Sequence, residues 1–369
     1  MVTQNLEAWL KLSLIPNIGK IRLTQLVEHF GSPEAVFEAG MDEICRLDNF
    51  GTELAMSIIE NKDKVDVSEE LKLIEKFDVK IVTYKDENYP ENLKNIPYPP
   101  AFLYIKGDLL SEDKFSIAVI GSRRNSQYGK MVCNEIAGRL AEYGLTVVSG
   151  MAQGIDSIAH ISALKKDKRT IAVLGNGLSI CYPAEHRGLM ERITKSGAVI
   201  SEFPMSTKPL KENFPVRNRT IGGMTLGTLV VEASGKSGTL ITADYAVEFG
   251  RAVYAVPGDI NRENSKGTNA LIQKGAKLVQ CAEDIISDLK FMLKGLIIEE
   301  KEKDLKKITE SLTEGEKVVF EILKNDVLYF DQILDQSNMS MGELSNVLLN
   351  LEMKDLIKQF PGKMFGKNI

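Results

Sequence analysis

The residues best suited to chemistry lie in one short stretch, PLKENFPVRNRTIGGM, Pro209 to Met224. Lys211, Phe214, Arg217 and Arg219 fall within nine positions, and Asn218 separates the two arginines. The whole chain carries a formal charge of −5, so adjacent guanidinium groups answer a specific need rather than a general surplus. Cations spaced with one aromatic ring suit a single strand of nucleic acid. The cations neutralise successive phosphates, and the ring stacks on a base, worth roughly 1–3 kcal/mol per base whatever the sequence. Gly222 and Gly223 leave the backbone bare, so a following helix can pack close behind the arginines. A second role competes with the first. Arg217 or Arg219 can pair with an internal carboxylate, such as Glu202 or Glu232, and pin the segment. At least one of the two is expected to do so.

The elements that position this stretch are legible around it. Six short apolar runs alternate with helical stretches: SIAVIG, LTVVSG, TIAVLGNG, AVISEFP, TLVVEASG and AVYAVPG. Each is nearly continuously hydrophobic, as parallel strands buried on both faces are. The alternation predicts an α/β fold, a Rossmann-like doubly wound and mostly parallel sheet with right-handed crossovers. Ligands of such sheets bind beyond the carboxyl ends of the strands. The segments there are GSRRNSQYG with Ser122 and Arg123, SGMAQGIDSIAH with Gly154, GNG, SEFP, and ASGKSGT with Lys236 and Ser237. Together they offer small residues, hydroxyls and cations, as anion sites do.

Familiar catalytic and phosphate motifs are incomplete. ASGKSGT has the Gly-Lys-Ser of a Walker A loop, but Val230 stands where its first glycine belongs. GNGLSI begins like a dinucleotide fingerprint, but Ile180 replaces the third glycine. Asp156 and His160, four apart on one helix, are expected to staple that helix rather than to work as a base pair. Glu232 is either an active carboxylate or the holder of a backbone turn. No Ser-His-Asp set or carboxylate pair can be assigned, so the expectation is a chain that is not an enzyme and needs no cofactor.

The flanks differ from the middle. From Phe115 to Ile260 there are seventeen Lys and Arg against twelve Asp and Glu, so this part carries +5 and the remainder −10. A basic centre with acidic flanks hints at a polyanion partner for the centre. Residues 1–75 read as short helices, in which IPNIGK and LDNFGTEL repeat one turn pattern and resemble tandem helix-hairpin-helix motifs of a SAM-like domain. Asn17 and Asn49 stand where a glycine is usual in the DNA-binding version. Residues 76–288 form the extended sheet domain, opening with two extended pieces, VKIVTYKD and AFLYIKG. Residues 289–311 are a charged linker. Residues 312–369 read as three helices and a hairpin, a winged helix whose third helix holds few basic residues. Cys45, Cys133, Cys181 and Cys281 are far apart and the three histidines do not join them, so no zinc site is expected and a reduced, cytoplasmic location fits. No apolar run approaches the roughly 20 residues of a membrane span, and the N-terminus does not read as a signal peptide.

Several segments together resemble the DNA-processing protein A family, also called Smf, of bacterial transformation. They are VIGSRRNSQYG, VVSGMAQGIDSIAH, VLGNGLSICYPAEH, SEFP, PLKENFPVRNRTIGGM, VVEASGKSGTLITADYAVEFGRAVYAVPG and KGTNALIQKGAKLV, in family order. The resemblance implies a homodimeric protein that binds single-stranded DNA and loads the RecA recombinase, with single-strand-binding protein as a possible further partner. It implies DNA contacts at Arg123, Lys211 and Phe214, with Arg217 and Arg219 in the Arg-Asn-Arg segment, and a dimer seam at Val247 and Ile272. The sheet is also similar to the phosphoribohydrolase relatives of lysine-decarboxylase-like proteins, which act on nucleotides. Those carry a catalytic Glu where this chain has Thr242. That departure argues against hydrolysis. A nucleotide enzyme or sensor would show a deep enclosed pocket, whereas a DNA binder needs an open basic groove.

Overall fold

The computed structural model describes residues 6–295, 312–323, 327–354, 356–360 and 362–367. The chain divides into two compact units, Met1–Leu293 and Lys294–Ile369.

The first unit opens with six helices, α1 (Leu6–Leu14), α2 (Lys20–Phe30), α3 (Pro33–Glu38), α4 (Met41–Cys45), α5 (Thr52–Asn61) and α6 (Ser68–Lys76). The repeated turn is real in the backbone. Asn17 and Asn49 have φ of 68° and 67°, and Gly19 and Gly51 cap α2 and α5 with φ, ψ of −76°, 168° and −82°, 171°. Asparagine tolerates the left-handed region through local hydrogen bonding, so it takes the conformation that a glycine holds elsewhere. The two turns meet different surroundings. Lys20, at the start of α2, donates to Glu202 at 3.0 Å and sits 3.8 Å above the Phe203 ring. Thr24 donates to the Pro99 carbonyl at 3.0 Å. The first turn is therefore closed by the sheet. At the second, Gly51 is exposed and Glu53 occupies the first turn of its helix. The helices share one continuous hydrophobic core with the sheet, and Trp9 meets Tyr84 and Phe102 edge-on at 6.2 Å.

The extended pieces are β1 (Lys80–Thr83) and β2 (Phe102–Gly107), with α7 (Glu91–Lys94) between them. The six apolar runs then become β3 (Ser116–Ile120), β4 (Thr146–Ser149), β5 (Thr170–Leu174), β6 (Ala198–Ser201), β7 (Gly227–Val230) and β8 (Ala252–Ala255). Helices alternate with them: α8 (Gln127–Glu142), α9 (Ile155–Lys165), α10 (Arg187–Ser196), α11 (Asn213–Met224), α12 (Thr239–Glu248) and α13 (Glu263–Gln273). A two-residue edge strand β9 (Lys277–Leu278) and α14 (Ala282–Asp288) follow. The sheet has nine strands in the order β1-β2-β6-β5-β4-β3-β7-β8-β9. β3 to β9 run parallel, and β2 joins β6 antiparallel, with β1 outside it. Every residue of β3, β4, β5, β6 and β7 is buried. That is why their sequences are apolar without alternation. The strand order reverses between β3 and β7, so the loops that follow these two strands diverge and leave a crevice there.

In the second unit three helices, Glu314–Ile322, Phe330–Ser337 and Met341–Met353, accompany a small antiparallel sheet of β10 (Leu328–Tyr329), β11 (Ile357–Phe360) and β12 (Met364–Lys367). This is the winged helix expected. Thr313 and Glu316 form a capping box: the Glu316 carboxylate accepts the Thr313 N–H at 2.8 Å. The same buried carboxylate takes Lys354 at 2.7 Å, tying the end of the third helix to the start of the first. Met341, Leu349 and Met353 are exposed on the third helix, an apolar surface rather than a basic one. Most of the expected linker, residues 296–311, lies outside the described residues.

Candidate nucleic-acid interface

Within the stretch from Pro209 to Met224, residues 213–224 form the helix α11, and this changes the role of its arginines. At 3.6 residues per turn, positions two apart diverge by about 200° around a helix. Arg217 and Arg219 therefore cannot face one strand together. Arg217 points inward and is 5% exposed. Its Nη1 donates to the carbonyls of Gly150 at 2.6 Å and Val173 at 2.9 Å, and its Nε to Asn218 Oδ1 at 3.0 Å. Asp156 lies just across Gly150. A Cβ on that glycine would sit 2.6 Å from Arg217 Cζ and 2.7 Å from Asp156 Oδ2. Burial lowers the pKa of Arg217 against the pull of Asp156. Burial likewise raises that of Asp156, against the Arg217 charge and N–H donors from Ala152 and Gly121. Arg219 leaves the opposite face. It donates to the carbonyls of Tyr98, at 2.9 Å, and Pro97, and lies 5.5 Å from the Phe249 ring, so it clamps the proline-rich turn. Asn218 is 9% exposed and donates to Gly238 O at 3.3 Å.

Arg217 and Asn218 are thus buried struts, and the half-buried Arg219 is engaged with the proline-rich turn. Their anticipated partners are also different. Glu202 is held by Lys20 and Thr220, and Glu232 by Ser126. Gly222 and Gly223 belong to the same helix as the arginines. A Cβ on Gly222 would be 3.2 Å from Thr242 O in α12, and one on Gly223 would be 2.9 Å from Ile96 Cδ1. Bare backbone is needed there because neighbours crowd α11 on two sides.

What remains outward is a compact cationic and aromatic cluster. Phe214, in the first turn of α11, lies over Gly175 at the end of β5, where a Cβ would come within 3.1 Å of its ring. The Arg123 guanidinium, on the loop after β3, sits 5.2 Å from the Phe214 centroid, and that of Arg217 supports the ring from inside at 5.5 Å. Arg123 is exposed, as is Lys211 just before α11. Neither forms an ion pair among the described residues. Sequence reasoning missed Tyr182. It is 41% exposed, with its ring 6.2 Å from Phe214. Its one signal in the sequence is an aromatic in the loop after β5, inside the segment VLGNGLSICYPAEH. Two rings flanked by unpaired cations give stacking surfaces beside phosphate acceptors.

The other loops are built to hold this cluster in place. Gly154 caps α9 with φ 82°, and a Cβ there would be 2.3 Å from the Ser122 carbonyl. That carbonyl accepts the Ile155 N–H at 3.2 Å, while the Ser122 hydroxyl accepts the Arg124 N–H at 3.1 Å. Glu232 is 3% exposed and takes the Ser126 N–H at 2.8 Å at the start of α8. Of its two readings, the structure shows the turn holder. On the loop after β7, Lys236 is exposed and Ser237 Oγ accepts the Thr239 N–H at 3.2 Å. The expected Asp156–His160 staple is not present. His160 is fully buried and bonds Thr170 Oγ1 through Nδ1 at 2.7 Å. Thr170 donates its own hydrogen to Val147 O, so His160 Nδ1 carries the proton. Burial pushes the His160 pKa down to about 3.

The crevice bounded by Arg123, Gly150, Asn176, Tyr182 and Phe214 encloses only about 10 Å³. Sites for drug-sized ligands enclose roughly 300–1,000 Å³, so this crevice as it stands is too small to enclose a nucleotide. Thr242 is 2% exposed. The two residues expected at a dimer seam differ in placement: Val247 is 65% exposed on α12, while Ile272 is half-buried against the core. Among the described residues, no helix is long and apolar enough to cross a membrane.

Comparisons with known proteins agree with this architecture. Residues 80–290 match the model of the DNA recombination-mediator protein A family, and residues 304–363 match the DprA winged helix domain. Protein Smf of Synechocystis is 31% identical over 97% of this chain and 98% of its own. Protein Smf of Escherichia coli is 37% identical over 76% of each chain. The X-ray structure of DNA processing protein A from Streptococcus pneumoniae superposes with a TM-score of 0.67 at 34% identity, covering 78% of this chain and 98% of that one. The Helicobacter pylori DNA processing protein A, solved for its single-stranded DNA binding mode, gives 0.52 at 31% identity over 58% and 96%. With its crevice, its winged helix and relatives matched over nearly its whole length, the chain belongs to the DNA recombination-mediator protein A (DprA/Smf) family.

Proposed function

We propose that this protein binds single-stranded DNA without sequence preference at the open end of the sheet. One observation carries the reading: exposed, unpaired Arg123 stands over the Phe214 ring, with Tyr182 beside it and Lys211 at the start of the same helix. The rings offer stacking platforms that accept any base, and the two cations meet backbone phosphates. Ser122, Gly154, Lys236 and Ser237 form the rim: Gly154 sets the position of the Ser122–Arg123 backbone, and Lys236 adds a third free cation. A duplex hides its base faces, so the platform favours a single strand. Likeness to the Helicobacter pylori DNA processing protein A, which binds single-stranded DNA, supports the same reading. Delivery of the bound strand to RecA and assembly as a homodimer through Val247 and Ile272 complete the proposal, on the family likeness.

The test is substitution of the free cations. Arg123→Ala and Lys211→Ala should each weaken binding to oligo-dT and reduce the slope of log K against log salt by about 0.7, one phosphate contact on a single strand. Wild-type binding and slope in both variants would refute the assignment.

A further inference from the structure

A second cationic groove shares a loop, Cys181–Tyr182, with the Phe214 platform. It runs along α10 and encloses about 580 Å³, within the roughly 300–1,000 Å³ that accommodates a drug-sized organic unit. Its floor is apolar, from Phe77, Leu178 and Met190, and its sides carry Lys106, Arg187 and Lys195. Arg187 and Lys195 are exposed, and Lys106 lies 5.7 Å from the Phe77 ring. None of the three cations forms an ion pair or donates a hydrogen bond to protein among the described residues, although Glu191 also lines the groove. Three free cations against one carboxylate leave a positive trough with a ring at its floor, in a chain whose formal charge is −5.

One loop contributes to both the groove and the platform. Cys181 lines the groove, and its neighbour Tyr182 packs against Phe214. A strand leaving Phe214 and Tyr182 along this loop would pass Cys181 and reach the trough. We propose that the groove along α10 is a second single-strand subsite, taking the nucleotides that follow those stacked on Phe214. Arg187 and Lys195 meet the phosphates, and the Phe77 ring, with Lys76 and Lys106 over it at 5.8 and 5.7 Å, is the apolar wall beside them. This rests on the proposed function of the platform and specifies the path the strand takes beyond it. Charge complementarity and the shared loop favour a nucleic-acid strand over an acidic peptide, which would have no need of the adjoining platform.

The experiment is a length series of oligo-dT, from about 4 to about 16 nucleotides, the span of common single-strand site sizes. Affinity and salt slope are measured for wild type, for an Arg187→Ala/Lys195→Ala variant and for an Arg123→Ala/Lys211→Ala variant. Circular dichroism checks that each is folded. The groove variant should match wild type on the shortest oligonucleotides, then fall behind as length grows, with a slope smaller by about 1.4 on the longest, two contacts at about 0.7 each. Platform variants should lose affinity at every length. If the groove variant equals wild type at all lengths while the platform variant is impaired, the second subsite is wrong and the platform stands. If the platform variant binds normally, the platform fails, and a path that starts on it fails too. Equal loss at all lengths in the groove variant would also overturn the proposal, because the groove would then not be a distal extension.

Discussion

Arg217 is the residue at which motif and structure diverge most. As part of an Arg-Asn-Arg segment it looks like a phosphate ligand. In the fold it is 5% exposed and joins the ends of two strands, through Gly150 O and Val173 O, beside the buried Asp156. Arg217→Ala would leave both carbonyls without this donor and the Asp156 charge without its neighbour. Each buried polar group left unsatisfied costs about 1–3 kcal/mol, so the two carbonyls account for roughly 2–6 kcal/mol, and Asp156 loses a nearby opposite charge besides. Water entering the space recovers part of this, so about 3–5 kcal/mol is the expected total. That is a large share of the roughly 5–15 kcal/mol typical of a whole domain. Arg217→Lys keeps a charge near Asp156 but lacks the planar fork that reaches both carbonyls, and should fall between. The assay is urea unfolding of the sheet unit followed by fluorescence, with Arg123→Ala as a surface control expected within about 0.5 kcal/mol of wild type. An Arg217→Ala protein with wild-type stability and lost DNA binding would refute the reasoning and return Arg217 to the surface.

Other expectations follow from the same geometry. Phe214→Ala should weaken oligo-dT binding by roughly 1–3 kcal/mol while leaving the salt slope nearly unchanged, because stacking releases few counterions; a slope that drops as far as that of Arg123→Ala would contradict this. Gly150→Ala should destabilise by more than about 1 kcal/mol through overpacking, since its Cβ would come 2.3 Å from Arg217 Nη1, and chemical denaturation checks it. His160 is neutral when folded, with its pKa lowered from 6.5 to about 3. The unfolded chain then binds the extra proton between these values, so His160 should subtract stability as pH falls below 6.5, by up to about 1.36 kcal/mol per pH unit. A His160→Gln variant whose pH dependence matches wild type would remove that assignment. Val247→Arg should convert a dimer to monomer in sedimentation, as a charge on a 65% exposed apolar residue of the proposed seam; a dimeric variant would exclude it.

The parallel sheet is legible in the sequence because burial on both faces removes alternation from its strands. Runs such as SIAVIG and TIAVLG have no other comfortable place. α11 is not legible as a helix for the opposite reason. Asn213, Arg217, Asn218, Thr220, Ile221, Gly222, Gly223 and Met224 are all buried, so no amphipathic stripe marks its period, and Pro215 with two glycines reads as loop. The roles of Arg217 and Arg219 depend on that element. Their partners are main-chain carbonyls 67 and 121 residues away, which no local pattern announces. The antiparallel attachment of β2 to β6 is hidden likewise, because it pairs segments across the chain. Arg123, Lys211 and Phe214 can be singled out from sequence, Arg123 as a cation beside small residues at a strand end and Lys211 and Phe214 by their spacing with the arginines. Tyr182 cannot, because its value comes from the ring it faces.

The most direct measurement is fluorescence anisotropy of a labelled oligo-dT and of a duplex of equal length over a salt series, with the unmodified protein. An open platform of two rings and free cations predicts tighter binding to the single strand, with affinity falling steeply as salt rises. No binding at low salt, or a preference for the duplex, would contradict it.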